Sequence, residues 1–248
     1  MSLTEISLLE NVRHQYLYQL KGRPGLFIAM AGMQVLALLF SWGGVGYYGM
    51  GTPYLEVSIK YYSSDLVVSF TIIWMAIIAA RVTTREYQNY DFSLVSNRLS
   101  GNLANAAFLA TAAFVGGVTA ILAGFLLRLI IYFKSDIYLL SEHLMPLPED
   151  LFTGMAVTVL YLLLFGALGY FCGILARLSK VFVVLLAGLF FAAVSYAGNS
   201  PALVTVLERI YDFYRGEGSL ALLAIKVLVT ALLLYACSFV LSNRLEVR

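Results

Sequence analysis

Residues Asn105–Phe133, NAAFLATAAFVGGVTAILAGFLLRLIIYF, decide the class of this chain, because between them stands one charge, Arg128. A hydrocarbon layer of about 30 Å takes roughly 20 apolar residues in helical form, more when the helix tilts. A stretch of this length and polarity is a membrane span, and working outward from it the pattern repeats. Leu26–Val45, Leu66–Ala80, Leu151–Ala176, Val181–Ala197 and Ser219–Leu241 are each apolar enough to cross, which gives six spans with little chain left for a soluble domain. Hydrophobic residues make up 61% of the sequence and charged residues 12%, far from soluble averages, so the whole of 1–248 reads as a single all-α polytopic transmembrane domain.

The remaining charge excludes other classes. A net charge of +2 with no Lys/Arg run supplies no phosphate-binding patch, so nucleic acid is not an expected partner. Cys172 and Cys237 both fall within spans, where a packed thiol is the ordinary role, and they form no metal-ligand spacing. His14 and His143 lie outside the spans, which argues against an intramembrane serine hydrolase; no catalytic or metal-binding residue is expected.

Residues 1–23 do not have the form of a cleavable signal, which runs from a short basic region straight into its apolar core. Leu9, Val12, Tyr16 and Leu20 recur at helical spacing, Glu10 reaches Arg13 and His14 at i+3 and i+4, and Gly22 with Pro24 breaks the helix before the first span. The segment reads as an amphipathic helix lying on the bilayer surface, with a loosely ordered tail as the alternative. Placing the N-terminus inside puts ten Lys/Arg on the cytoplasmic side (Arg13, Lys21, Arg23, Arg81, Arg85, Arg98, Arg177, Lys180, Arg244 and Arg248). Five fall outside (Lys60, Arg128, Lys134, Arg209 and Arg215), with Lys226 apart. Both termini are then expected in the cytoplasm of a cell-membrane protein.

Charge at depth is scarce. Lys226 lies about 10 Å along the helix from Ser219, at 1.5 Å per residue, so its amine either snorkels to the interface or is buried for gating or substrate contact. Arg128 is near enough to the end of its span to snorkel. Small residues at four-residue spacing, Ala112, Gly116, Ala120 and Gly124 in the third span and Gly169 and Gly173 in the fourth, mark faces for close helix packing, or else a substrate passage. Gly43, Gly44, Gly46, Gly49 and Gly51 follow no strand and are set aside as a phosphate loop.

Two segments outside the spans carry more. Between Arg81 and Asn102, Tyr87, Tyr90, Leu94, Val95, Arg98 and Leu99 share helical spacing ahead of Gly101, and Thr83 with Glu86 fits a capping box, so a short surface helix is expected. Residues 199–218 form a second, outer helical element: Ser200 and Pro201 resemble a start, Leu203, Val206, Leu207, Ile210 and Tyr214 a stripe, Gly216 an end.

The layout of an interfacial N-terminal helix, six spans, a long cytoplasmic segment after span two and an outer helical element before span six resembles the ABC-2-type permeases, the membrane subunits of bacterial ABC exporters. The stretch TTREYQNYDFSLVSNRL, Thr83–Leu99, looks like the coupling helix that docks into the ATPase in that family. The proline late in that motif is absent, since Asn97 and Arg98 stand where a Leu-Pro pair often occurs. The resemblance implies an ATPase-coupling segment at 81–104, with Glu86, Tyr87, Tyr90, Asp91, Leu94 and Arg98 as coupling residues. It also implies a second permease subunit, identical or related, and a separate cytoplasmic ATPase holding the ATP-Mg, with no cofactor on this chain. The residues agree on the motor, because none of the five lysines follows a glycine as G-x-x-x-x-G-K-[ST] requires. The expected function is export of a lipophilic or amphipathic substrate such as a peptide, lipid-like molecule or drug. The alternatives are a non-transporting membrane sensor or assembly subunit, and a secondary transporter.

Overall fold

The computed structural model describes residues 7–44, 46–52, 55–61, 63–84, 87, 98–134, 147–179 and 219–244. Between 181 and 214 it describes Val181, Phe182, Val184, Leu185, Gly188, Ala192, Thr205, Glu208, Arg209 and Asp212–Tyr214. Helix α1 (Leu8–Gly22) is followed by α2 (Pro24–Ser41), strands β1 (Gly46–Thr52) and β2 (Leu55–Tyr61), then α3 (Asp65–Val82), α4 (Arg98–Lys134), α5 (Pro148–Leu178) and α6 (Leu220–Arg244). Among the described residues five helices are long and apolar enough to cross a bilayer: Pro24–Ser41, Asp65–Val82, Leu99–Phe133, Pro148–Leu178 and Leu220–Ser242. The protein is an α-helical, multi-pass membrane protein. The expected fifth span, Val181–Ala197, falls largely outside the described residues, with the described positions there helical.

Local chemistry sets the boundaries. Ser7 opens α1 by accepting the Glu10 N–H on its hydroxyl at 3.3 Å, which satisfies one of the free donors of the first turn. Pro24 starts α2, where a missing N–H costs nothing. That helix stops at Ser41, four residues short of the expected Val45, because Gly44 takes φ 91°, a conformation that leaves the helix and suits glycine. Ser63 caps α3 by accepting the Asp65 N–H at 3.1 Å. At its far end the Thr83 and Thr84 hydroxyls donate back to the Ala80 and Arg81 carbonyls at 2.7 and 2.8 Å.

Two departures from the sequence reading have clear causes. The glycine-rich stretch, set aside as a phosphate loop and given no structure by the sequence, is the first arm of an antiparallel hairpin, with Gly46 opposite Tyr61 and Thr52 opposite Leu55, so the fold is not wholly helical. Its second arm alternates Leu55, Val57 and Ile59 with Glu56, Ser58 and Lys60, the two-residue period of a strand. Likewise Gly101 ends no surface helix: α4 starts at Arg98 and runs through it, and a Cβ there would meet only Gln15 Oε1 at 3.8 Å. One glycine inside a long apolar helix costs about 1 kcal/mol, which the packing of the rest absorbs.

The chain forms two compact units. One gathers Met1–Gly22, Ala76–Ala110 and Leu163–Arg248; the other comprises Arg23–Met75 and Thr111–Leu162. In the first, Ala104, Phe108, Leu109, Tyr170, Ile174 and Val227 are fully buried, and the Tyr170 and Tyr235 rings lie 5.5 Å apart. In the second, Ala37, Val67 and Ala120 form the centre, with Leu38, Val68, Phe70 and Ala123 packed around them. Large apolar side chains stay exposed on α2 and α6, Ile28, Leu39, Leu232 and Leu233 among them, as lipid-facing helix surfaces require. Both cysteines are free; Cys172 is half-buried, but Cys237 is exposed rather than packed.

Candidate functional site

Of the residues expected to couple to an ATPase, Glu86, Tyr90, Asp91 and Leu94 lie outside the described residues, and Arg98 is the first residue of α4. Tyr87 is helical and half-buried, and the Arg81 guanidinium stands 5.8 Å from the centre of its ring. Thr83 is buried with its hydroxyl committed to Ala80, closing α3; its expected capping partner Glu86 falls outside the described residues.

What the structure does define is the base from which this segment springs, all of it within the first unit. Helix α1 turns an amide stripe inward: Asn11, Gln15 and Gln19 follow one another at four-residue spacing, and Gln15 and Gln19 are almost fully buried. Gln15 Nε2 donates to Ser100 Oγ at 3.2 Å and Gln19 Nε2 to Asn105 Oδ1 at 2.9 Å, so two turns of α1 are bonded to the first two turns of α4. The apolar residues of α1 lie on its remaining faces. Leu9 is 79% exposed, as are Leu8, Leu17 and Tyr18 to a lesser degree, while Val12, Tyr16 and Leu20 are half-buried beside the amides. On the other flank of α4, Asn102 Oδ1 accepts the Tyr170 hydroxyl at 3.0 Å, and both groups are buried. Buried amides and hydroxyls left unpaired are costly, so each satisfied pair also fixes the geometry of the helices that carry it.

The end of α3 is held to α5 differently. A Cβ on Gly169 would run into the Ala76 carbonyl oxygen, and one on Gly173 into Thr83 Oγ1 and, at 2.8 Å, the Ala80 carbonyl oxygen. The two helices therefore touch backbone to backbone, the close approach that small residues permit in membranes. Both ends of the 83–98 segment thus leave fixed helices.

Sequence reading missed Asn11, Gln15, Gln19, Ser100, Asn102, Asn105 and Tyr170, although amides at i, i+4 and i+8 in α1 are a visible signal. Elsewhere the expected residues separate. Ala112, Gly116, Ala120 and Gly124 are buried along one side of α4 in the second unit. There Gln34 Nε2 reaches Thr119 Oγ1 at 3.0 Å and Thr71 Oγ1 and the Gly116 carbonyl at 3.3 Å each. Lys226, half-buried in α6, donates to the Phe213 carbonyl at 2.9 Å and lies 4.1 Å from the centre of the Phe213 ring, so its amine is tied to the segment preceding α6. Among the described residues no group of three or more His, Cys, Asp or Glu is placed to hold a metal ion. No family model, no curated protein and no solved structure matches this chain.

Proposed function

We propose that the chain is the permease subunit of an ATP-driven exporter of the ABC-2 type. It would sit in the cell membrane with both termini cytoplasmic, paired with a second permease subunit and driven by a separate cytoplasmic ATPase. The cargo class that suits its sparsely charged spans is a lipophilic or amphipathic molecule, such as a peptide, lipid-like molecule or drug. One observation carries the reading: the segment between α3 and α4 is anchored on both sides, through Gly169 and Gly173 at the end of α3 and through Ser100, Asn102 and Asn105 at the start of α4.

A lever needs such a base. Motion imposed on a free loop is lost in the loop, whereas motion imposed on a segment continuous with α4 is delivered to α1 through two buried amide bonds and to α5 through Tyr170. In this scheme Tyr90, Asp91 and Leu94 present the docking surface, Arg98 joins it to α4, and Glu86 with Tyr87 sets its start. The ten-to-five distribution of Lys and Arg supports placing that surface in the cytoplasm, where ATP is hydrolysed.

Affinity purification of the tagged full chain from native membranes tests the reading. An ATP-hydrolysing subunit is expected to co-purify, and Asp91→Lys, Arg98→Glu and Tyr90→Ala are each expected to insert normally yet lose that subunit or its transport-stimulated hydrolysis. Unchanged co-purification and unchanged flux in all three would remove the coupling role.

A further inference from the structure

Within the second unit, a cavity of about 200 Å³ opens where the starts of α3 and α5 meet the C-terminal part of α4. It is lined by Ser64, just ahead of α3; by Gly124, Phe125 and Arg128 of α4; and by Asp150 and Leu151 in the first turn of α5. Arg128 precedes the end of α4 at Lys134 by six residues, about 9 Å along the axis. Asp150 and Ser64 stand at the starts of membrane-spanning helices, so the cavity lies at the depth where hydrocarbon gives way to headgroups.

One cationic and one anionic side chain line the same space, and among the described residues Arg128 and Asp150 form no ion pair with each other. Two opposite charges that leave each other unpaired across a cavity suit a ligand carrying both signs. The geometry points to a binding site for the zwitterionic headgroup of an ethanolamine phospholipid. The guanidinium of Arg128 takes the phosphate, in the forked arrangement that group favours, and the starts of α3 and α5 add partial positive charge. The carboxylate of Asp150 accepts from the ammonium, and Phe125 and Leu151 cover the glycerol end.

Charge and size select among lipids. The two lining charges cancel, so a headgroup with net negative charge would leave Asp150 facing like charge, which is unfavourable. A choline headgroup has no N–H to give the carboxylate. A cavity of about 200 Å³ has room for several waters, and so for a phosphoethanolamine group of about eight non-hydrogen atoms. The inference stands on the membrane-spanning fold and does not depend on the coupling role.

Native mass spectrometry of the full chain in detergent, titrated with phosphatidylethanolamine, phosphatidylcholine, phosphatidylglycerol or soluble phosphoethanolamine, tests it. Phosphatidylethanolamine is expected to bind tightest. Arg128→Gln should weaken it about tenfold or more, the loss that follows from charge-assisted hydrogen bonds, while Arg128→Lys, which keeps the charge and loses the fork, recovers part of the affinity. Asp150→Asn should abolish the preference for ethanolamine over glycerol headgroups. Both positions are exposed, so the variants are expected to fold, and their unfolding midpoints report it. Equal binding of all three lipids by the native chain, affinity unchanged in Arg128→Gln, or soluble phosphoethanolamine binding as tightly as the lipid would each overturn the assignment.

Discussion

Gly116 of α4 and the pair Gly169 and Gly173 of α5 look alike in sequence and differ in what they touch, although Gly124, further along α4, is packed hard against Ser64. Gly169 and Gly173 of α5 lie against the backbone of α3, at Ala76 and Ala80, whereas Gly116 of α4 lies against side-chain tips: Met30 Sδ and Thr71 Cγ2 at 3.3 Å and Leu162 Cδ1 at 3.5 Å. A backbone carbonyl cannot move without moving its helix; a methionine tip can swing aside. Four-residue spacing of small residues therefore marks a face, and the atom across from it decides how much that face tolerates.

The sharpest way to break the comparison is to fill the α5 contacts. Gly169→Val together with Gly173→Val should destabilise the protein by about 3 kcal/mol or more, since overpacking against backbone separates α3 from α5. SDS or thermal unfolding of the purified full chain would show the loss. A pair of variants as stable as the native chain would mean that these helices do not depend on their close approach. The same substitution should also impair any partner bound at the 83–98 segment, because the end of α3 would no longer be fixed.

A second prediction sharpens the contrast. The α4 stripe is held by Gln34, whose amide reaches Thr71, Thr119 and the Gly116 carbonyl, so that a polar node does there what close backbone does in α5. Gln34→Leu should cost about 1 to 2 kcal/mol, within the range for hydrogen bonds between membrane helices. The cost is moderate because the partners stay satisfied: Thr71 Oγ1 still donates to the Val67 carbonyl at 2.7 Å and Thr119 Oγ1 to the Val115 carbonyl at 2.8 Å. A loss as large as that of the α5 double variant would show the node to be the stronger of the two contacts.

The difference between the two sites also marks what the sequence could tell. Apolar length announced five of the spans to within six residues at each end, since the bilayer imposes a length that no local choice can evade. The hairpin at Gly46–Tyr61 escaped because Tyr47 and Tyr48 look like interfacial aromatics and glycine is a poor strand former, although the alternation of Leu55–Lys60 was there to be read. In α1 the apolar stripe did not reveal the packed face. Counting apolar residues selected Leu9, Val12, Tyr16 and Leu20, while the face that packs inward is Asn11, Gln15 and Gln19, visible only when amides are counted as possible interior residues. Polar contacts between distant segments, such as Gln15 with Ser100 or Gln34 with Thr119, are pairings that a single sequence does not rank, because any buried amide would be satisfied by many partners.

The smallest effect is expected at Gly116, and it tests the comparison most finely. Gly116→Ala gains up to about 1 kcal/mol of helix propensity, and it pays a contact penalty against Met30, Thr71 and Leu162. Met30 yields easily, having three rotatable bonds, and Leu162 at 3.5 Å is already at ordinary contact distance. Thr71 does not yield, since its hydroxyl is tied to the Val67 carbonyl and accepts from Gln34. The residual strain should therefore fall on Thr71 and be felt through Gln34, leaving a net change within about 1 kcal/mol of zero. A double-mutant cycle of Gly116→Ala with Gln34→Leu should then show coupling, of the order of 0.5 kcal/mol or more, as residues sharing one network do. Additivity in that cycle would mean that Thr71 moves freely, and a loss in Gly116→Ala equal to that of a valine in α5 would mean that the Gly116 contact is as unforgiving as backbone.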